Sequence, residues 1–373
     1  MGHDLLPPAP LVLDGRPLPI VGPARIYACG VTPYDVTHLG HAATFVWVDA
    51  LVRVLRHVGL APVVTRNVTD VDDVLTAAAR RAGTPYDEFA AMQQYAFDHD
   101  MSELGVRRPD HEPRAHAHVG DVVRLAQALI DRGHAYAVGG TVYFRGSGVP
   151  ARAGVDEATA LALLREFGEQ PDDPAKEDPL DVPVWRASGA DDPAWPSPWG
   201  AGRPGWHAEC TAMVLSGYGS SIDIHAGGAD LGFPHHAYEA AQGEAATGVA
   251  PFARSWMRVG TVRIDGVKMA KSIGNLVLVG DLLRDHRAAA VRLMLLDRRW
   301  DEAWDYSPAL LERAEARVDD LHAAAGRRED DPSAEVEVLR RLLDDVDVPG
   351  AVGVALESGG RPARVLVQIL GLA

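Results

Sequence analysis

The stretch YACGVTPYDVTHLGHAATFVWVDALVRVL, residues 27–55, decides the fold. It begins with apolar residues typical of a buried strand, breaks at Gly30 and ends as an amphipathic helix predicted over 41–58. A second short strand is predicted over 62–66, so the three elements form a β-α-β unit with a parallel sheet. Ligands of open parallel sheets bind at the carboxyl ends of the strands, which is where Cys29 stands.

The rest of the chain extends this pattern on both sides of an insertion. Helical periodicity recurs three times before residue 132, and a hairpin with a Gly-Gly turn follows it. Residues 168–205 are dense in Pro, Asp and Gly and are predicted to form an ordered loop. A strand is predicted at SSIDIHAGG, a helix over about 234–246 and further strands near 256–265, and the pattern is helical from about 279 onward. We therefore predict an α/β protein whose sheet is assembled from two separated stretches.

The composition excludes several classes of protein. The chain has 373 residues, of which 47% are hydrophobic, so a large core can form without disulfides. Its net charge of −16 argues against a general nucleic-acid binder, which usually presents a basic face. We find neither a signal peptide nor a run of about 18 apolar residues that could span a membrane. We expect a cytoplasmic protein, away from membranes, whose two cysteines are reduced.

The sequence HLGH, His38 to His41, opens the first predicted helix. Imidazoles at a helix N-terminus, beside a glycine that lets a ligand approach the backbone, suit the phosphates of a nucleotide. Two other interpretations stay open: a zinc-binding histidine pair and a structural helix cap. The four residues alone do not choose among them.

A second motif, GTVRIDGVKMAKSIGN, covers residues 260–275 and places Lys268 and Lys271 in a loop after two strands. Two lysines in a loop bordered by glycines can neutralise the charge that grows on pyrophosphate as it leaves. Surface lysines between strands are also common, so this loop needs the first motif to carry a functional interpretation.

The second cysteine lies in RPGWHAECTAM, and a histidine-rich stretch, HAGGADLGFPHHAYEAAQ, follows it. His235 and Glu239 are four residues apart, so on a helix both side chains share one face. Together with Cys29 and Cys210 they would make a set of two thiols, an imidazole and a carboxylate. Thiolate and imidazole suit zinc, although a helical His/Glu pair is more often an ordinary surface pair.

HLGH and KMAKS, in this order, resemble the HIGH and KMSKS signatures of class I aminoacyl-tRNA synthetases. The motifs CGVTPYD, RNVTDVDD, RPGWHAEC and GGADLGFPHH resemble the cysteinyl branch of that class. The resemblance implies a doubly wound parallel sheet of the Rossmann-like (HUP) type, with a helical insertion and a C-terminal helical segment. It also implies that ATP is used to form an aminoacyl adenylate. One departure is Ala270, at the third position of KMSKS.

The resemblance divides the chain into five parts. We expect an N-terminal extension over 1–24, the first half of the nucleotide-binding domain over 25–110 and a helical and loop insertion over 111–205. The second half of the catalytic domain, with the KMAKS loop, is expected over 206–278. A helical domain is expected over 279–373, without an anticodon-binding domain.

The resemblance also assigns site residues by position. The residues implied for catalysis are His38, His41, Lys268 and Lys271, and those implied to hold one Zn²⁺ per chain are Cys29, Cys210, His235 and Glu239. The metal would bind the thiolate of substrate cysteine and so distinguish it from serine. The residues implied to bind cysteine are Cys29, Gly30, Thr32, Thr69, Trp206 and Asp230. Those implied to bind ATP, with Mg²⁺, are His38, Gly40, His41, Thr44, Gly228, Asp230, Val262, Lys268, Lys271 and Ser272.

The acceptor of the activated cysteine is the remaining question. Pro33, Ala43 and Pro196 resemble the mycothiol-ligase branch of the family, which joins cysteine to the amine of a glucosaminyl-inositol. We therefore expect an aminosugar-inositol acceptor, no tRNA and a monomer. Glu239 fits the tRNA-charging branch better, so an enzyme that charges tRNA or a carrier protein is the alternative. A non-catalytic cysteine or nucleotide sensor is a third possibility, raised by Ala270.

Overall fold

The structure is a computed structural model that describes residues 7–33, 37–190, 192–269, 273–328 and 331–373. Its strands in chain order are β1 Val12–Leu13, β2 Arg16–Pro17, β3 Ala24–Val31, β4 Pro62–Val68, β5 Ala135–Val138, β6 Thr141–Phe144, β7 Val182–Ala187, β8 Gly202–Pro204, β9 Ile222–Gly228, β10 Ala253–Val259, β11 Val262–Ile264, β12 Val267–Lys268 and β13 Trp304–Asp305. Its α-helices are α1 Leu39–His57, α2 Asp73–Ala82, α3 Tyr86–Glu103, α4 Val119–Asp131, α5 Val149–Arg152, α6 Glu157–Glu166, α7 Trp206–Tyr218, α8 His235–Thr247, α9 Val279–Asp285, α10 Ala288–Leu296, α11 Pro308–Ala325, α12 Pro332–Leu343, α13 Val348–Ser358 and α14 Gly360–Leu370.

The central sheet is parallel and has the strand order β10-β9-β3-β4. The chain leaves β3 through α1 to reach β4 on one side, and it leaves β9 through α8 to reach β10 on the other. The strand order therefore reverses between β3 and β9, and the sheet is doubly wound as expected. Such a reversal opens a crevice at the carboxyl ends of the two central strands, which is where ligands of this architecture bind.

Helix α1 begins where the sequence predicts, because His38 caps it: its Nδ1 accepts a hydrogen bond from the amide of Gly40 at 3.1 Å. Most of the helix is buried, from Leu39 to Leu55. The segment that follows the KMAKS loop is hydrogen-bonded to the start of α1. Leu39 donates its amide to the carbonyl of Val277, and Val279 donates to that of Thr37. HLGH and the segment that follows KMAKS therefore lie side by side.

The insertion contains a sheet that the sequence analysis did not predict. Strands β5, β6, β7 and β8 form a four-stranded antiparallel sheet in that order. The β5–β6 hairpin with its Gly139–Gly140 turn is confirmed. The prediction of a loop throughout 168–205 is wrong, because β7 and β8 lie within it. Strand β11 falls within the strands predicted near 256–265, but the small sheet that it forms with β12 and β13 was not predicted.

The C-terminal helices pack on the central domain through one shared hydrophobic core. That core includes Trp47 and Leu51 of α1 together with Leu321, Leu342 and Leu366 of the later helices. The insertion has its own core with α4, α7 and α8. The division of the chain into five units at the bounds given above stays a proposal. Among the helices of the described ranges, none is long and apolar enough to cross a membrane.

A buried arginine ties the C-terminal region to α1. The Arg292 guanidinium, 1% exposed, contacts the Asp49 carboxylate at 2.7 Å and donates to the carbonyls of Leu104 and Leu370 at 3.0 and 2.9 Å. Burial lowers the pKa of Arg292. One side chain thus joins α1, the end of α3, α10 and α14.

We expect Arg292→Met to lower the free energy of unfolding by about 3–5 kcal/mol, because it leaves the Asp49 carboxylate without this buried partner. Arg287→Met is the matched control, since Arg287 pairs with Asp319 at the surface and its loss should cost about 0–1 kcal/mol. Urea unfolding followed by circular dichroism measures both. Equal losses in the two variants would show that the buried arginine does not hold these elements together.

Candidate active site

A cleft of about 1840 Å³ opens at the carboxyl ends of β3 and β9, where the strand order reverses. Most of the residues predicted to bind cysteine, ATP or zinc line it: Cys29, Gly30, Thr32, His38, Gly40, His41, Thr44, Thr69, Trp206, Cys210, Gly228, Asp230, His235, Val262 and Lys268. Glu239 lies buried behind this lining. Ala270, Lys271 and Ser272 lie outside the described residues. The structure thus brings the two distant motifs and both cysteines to one cleft.

Four predicted metal ligands meet at the floor of the cleft. Donor atoms of Cys29, Cys210, His235 and Glu239 all lie within 4.8 Å of one another, and all four residues are buried. Strand β3, helix α7 and helix α8 each bring part of the set. Sγ of Cys29 lies 3.5 Å from Oε1 of Glu239, and Nε2 of His235 lies 2.6 Å from the same oxygen. Two sulfurs, a nitrogen and a carboxylate oxygen in this arrangement fit Zn²⁺.

The pKa values of these four groups also favour the binding of a cation. A hydrogen bond with Cys29 lowers the pKa of Cys210 to about 6, whereas burial raises the pKa of Cys29 well above its usual range. Burial opposes the charge on His235, but Glu239 and Cys210 outweigh it and raise its pKa to about 10. Burial likewise opposes the charge on Glu239, yet His235 and His225 hold its pKa well below its usual range. A divalent cation bound by these groups would displace the remaining protons.

A second layer of histidines supports the cluster and was not predicted. His225 lies 2.6 Å from Oε2 of Glu239, and Nδ1 of His207 lies 3.0 Å from Nδ1 of His235. His236 is buried beside them, and neither of its ring nitrogens has a hydrogen-bond partner within the described part of the chain. Burial lowers the pKa of His207 and of His236, so both are neutral. Their spacing around GGADLGFPHH is the only sequence signal that could have indicated this layer.

The wall of the cleft holds the cluster's histidine in place. The Trp206 ring stacks on the His235 ring with centroids 4.1 Å apart and an interplanar angle of 15°, and Phe167 stacks on the other side of Trp206 at 5.7 Å. Phe167 was not predicted. Gly30 is needed at its position, because a Cβ there would lie 1.6 Å from the carbonyl oxygen of Asn67. The Gly30 amide also donates to the Asn67 side chain at 2.7 Å.

The nucleotide end of the cleft carries the two histidines of HLGH. The rings of His38 and His41 stack with centroids 3.8 Å apart. Across the cleft, Nζ of Lys268 contacts the Asp230 carboxylate at 2.5 Å, with the two side chains 49% and 35% exposed. A cation and two imidazoles therefore face the space between the motifs. This arrangement can stabilise phosphate oxygens.

Comparisons with known proteins agree with this geometry. A family model described as tRNA synthetases class I (C) catalytic domain matches residues 21–316. The cysteine–tRNA ligase of Alkalilimnicola ehrlichii is 42% identical over 344 residues, which is 90% of this chain and 74% of that protein. The L-cysteine:1D-myo-inositol 2-amino-2-deoxy-alpha-D-glucopyranoside ligase of Acidothermus cellulolyticus is 42% identical over 339 residues, 89% of this chain and 83% of that protein.

Two solved structures share the fold. Mycobacterium tuberculosis methionyl-tRNA synthetase in complex with methionyl-adenylate matches with a TM-score of 0.63 and 18% identity, over 94% of this chain and 82% of that one. The LeuRS of Agrobacterium radiobacter K84, in a ternary complex with tRNA, matches with a TM-score of 0.63 and 11% identity, over 96% and 84% of the two chains. At these identities the likeness concerns architecture alone.

Proposed function

The chain belongs to the family of class I synthetase catalytic domains that use cysteine and ATP, and from that membership we propose its complete reaction. It activates L-cysteine as cysteinyl-AMP and transfers the cysteinyl group to the amine of glucosaminyl-inositol, forming an amide. The observation that carries the proposal is the Cys29–Cys210–His235–Glu239 cluster, which lies at the floor of the cleft that HLGH lines.

In the first step, a carboxylate oxygen of cysteine attacks the α-phosphorus of ATP, the bond to the bridging oxygen breaks and pyrophosphate leaves. His38, His41 and Lys268 line the nucleotide end of the cleft and would stabilise the charge that grows on the leaving group. Lys271 and Ser272, predicted for the same role, lie outside the described residues. Asp230, beside Lys268, lies at the position proposed to bind the ammonium of cysteine.

In the second step, the neutral amine of the acceptor attacks the carbonyl carbon of cysteinyl-AMP. The carbon–oxygen bond to the phosphate breaks, AMP leaves, and the proton lost by the nitrogen passes to solvent. Thr69 and Trp206, both in the cleft wall, are proposed to hold the cysteinyl group while this happens.

Selection of cysteine over serine follows from the cluster. When bound there, a zinc ion would supply a Lewis acid that prefers a thiolate to a hydroxyl. The four side chains of this chain would hold the ion, and the surrounding histidines would orient the His235 and Glu239 donors. A hydrophobic pocket alone would discriminate by only about 1–3 kcal/mol per methylene.

Two observations support a small amine acceptor. Pro33, Ala43 and Pro196 resemble the mycothiol-ligase branch. Residues 279–373 also carry thirteen arginines against nineteen acidic residues, and many of these arginines are engaged within the described chain. Examples are the ion pairs Arg287–Asp319, Arg317–Asp297 and Arg361–Glu335. Such a surface offers little to the phosphates of an RNA, whose binding depends on available cations.

A tRNA acceptor is the second candidate. The 42% identity to a cysteine–tRNA ligase favours it, as does the carboxylate of Glu239 in the metal-binding cluster.

The acceptor can be tested by measuring cysteine-dependent AMP release with each acceptor in turn, and by detecting the product with mass spectrometry. We expect glucosaminyl-inositol to stimulate AMP release and to yield the cysteinyl amide, whereas tRNA should do neither. If tRNA alone stimulates AMP release and becomes cysteinylated, the ligase proposal is wrong and the tRNA-charging reaction replaces it.

A further inference from the structure

A second, smaller pocket of about 460 Å³ lies on the sheet of the insertion. Its polar lining includes Tyr143, Glu169, Asp173, Lys176, Arg186 and Arg203. The sequence analysis assigned no role to any of these residues, and the proposed steps do not use them. We call it the insertion pocket.

The insertion pocket adjoins the main cleft. Phe167 lines the cleft and Glu169, two residues later, lines the pocket; Trp206 lines the cleft and Arg203, three residues earlier, lines the pocket. A chain extends at most about 3.6 Å per residue. The Cα atoms of Phe167 and Glu169 therefore lie within about 7 Å of each other, and those of Arg203 and Trp206 within about 11 Å. The stacked Phe167 and Trp206 rings therefore line the main cleft close to the insertion pocket. Arg203 also binds Asp73 at 2.8 Å, which anchors the pocket beside the start of α2.

The chemistry of the insertion pocket is mixed in charge. Arg186 binds the Glu169 carboxylate at 2.7 Å, and the Tyr143 hydroxyl donates to Asp173 at 2.6 Å. Lys176 differs from these residues: its Nζ is buried and has no hydrogen-bond partner among the residues that the structure describes. A buried ammonium without acceptors is costly, so a ligand that supplies oxygen acceptors would be favoured there.

This lining suits hydroxyl groups better than phosphates. A hydroxyl both donates and accepts, so it can bond to carboxylates, to other hydroxyls and to an ammonium group. A phosphate diester only accepts, and the two guanidiniums of the lining that could bind it already pair with Glu169 and Asp73. The pocket therefore indicates a neutral polyol rather than an RNA backbone.

We propose that the insertion pocket binds the inositol ring of the acceptor, with Lys176 donating to ring hydroxyls while the amino sugar reaches past Trp206 into the main cleft. The proposal rests on the function proposed above and adds to it the part of the chain that recognises the acceptor. Lys176 acts here as a binding residue and takes no part in cysteine activation.

The test compares two amines in the Lys176→Met variant: glucosaminyl-inositol, and D-glucosamine, which lacks the inositol ring. We expect the KM for glucosaminyl-inositol to rise about tenfold, because a hydrogen bond to a charged group is lost. The kcat, the KM for D-glucosamine and cysteine-dependent ATP–pyrophosphate exchange should all stay within about twofold, because none of them uses this contact. Arg145→Met is the matched control, since Arg145 pairs with Glu177 on the outer side of the same loop and does not line the pocket.

An unchanged KM for glucosaminyl-inositol, or an equal rise for both amines, would overturn the proposal. Gln170→Ala is the second variant if Lys176→Met folds poorly, because Gln170 is an exposed residue of the same lining. It should also raise the KM for glucosaminyl-inositol alone, and no such rise would count against the proposal. The unaltered protein is assayed first. If it makes no amide from either amine while ATP–pyrophosphate exchange proceeds, the proposed acceptor is wrong.

Discussion

Replacing Cys210 with serine is expected to abolish zinc binding and to lower cysteine-dependent ATP–pyrophosphate exchange by at least about 10³-fold. Substituting a residue that only supports a metal ligand already lowers metal affinity or activity by about 10–100-fold, so the loss of a ligand itself should cost more. Cys210 is 1% exposed and its sulfur belongs to the four-donor cluster at the floor of the cleft. Serine keeps the size but exchanges a soft thiolate for a hydroxyl that zinc binds poorly. Elemental analysis and the exchange assay measure the two effects.

Met213→Leu is the control for this substitution. Met213 lies on the same helix, is equally buried and packs in the same hydrophobic cluster, but it supplies no ligand. A swap that conserves volume should cost less than about 1.5 kcal/mol and leave zinc content unchanged. Exchange activity in Cys210→Ser close to that of Met213→Leu would refute the role of the cluster in selecting cysteine.

Replacing Lys268 with alanine is expected to lower the rate of adenylate formation by about 10²–10³-fold, the usual cost of removing one donor that stabilises developing charge. Lys268 lines the same cleft as HLGH, and its ammonium contacts Asp230. Because the interaction strengthens as pyrophosphate leaves, kcat should fall while the KM for cysteine changes little. Pre-steady-state measurement of pyrophosphate release checks this.

Arg263→Ala provides the comparison for Lys268. Arg263 is its cross-strand partner in the β11–β12 hairpin, yet it does not line the cleft. Its loss should leave the rate within about threefold, because Arg263 is not among the described residues that line the cleft. If both variants lose activity equally, the hairpin and not the lysine is what matters.

The central part of the fold was predictable because its signals are local. The apolar run that ends at Val31, the glycine and the amphipathic helix are adjacent in sequence, so their β-α-β arrangement follows from periodicity alone. The cap at His38 lies in the motif itself. Cys29 and Cys210 could be connected only through the family resemblance, since 180 residues separate them.

The insertion was harder to predict because its sheet depends on contacts distant in sequence. Strand β7 pairs with β6 some 40 residues earlier, and β8 is a three-residue strand, Gly202–Pro204, within a Pro-rich stretch. Proline and glycine there favour a loop by local propensity, and pairing with neighbouring strands overrides it. The buried histidines 207, 225 and 236 were missed for a related reason. A single histidine in a sequence does not indicate whether its side chain is buried, and these three come together only through packing around Glu239.

The most direct measurement is ATP–pyrophosphate exchange on the zinc-loaded protein, with cysteine and serine compared at equal concentration. The cluster of two sulfurs, an imidazole and a carboxylate predicts rapid exchange with cysteine and at least about 10³-fold less with serine, since a site built to bind one functional group strongly rejects an analogue without it. Equal exchange with both amino acids, or none with cysteine, would contradict the account.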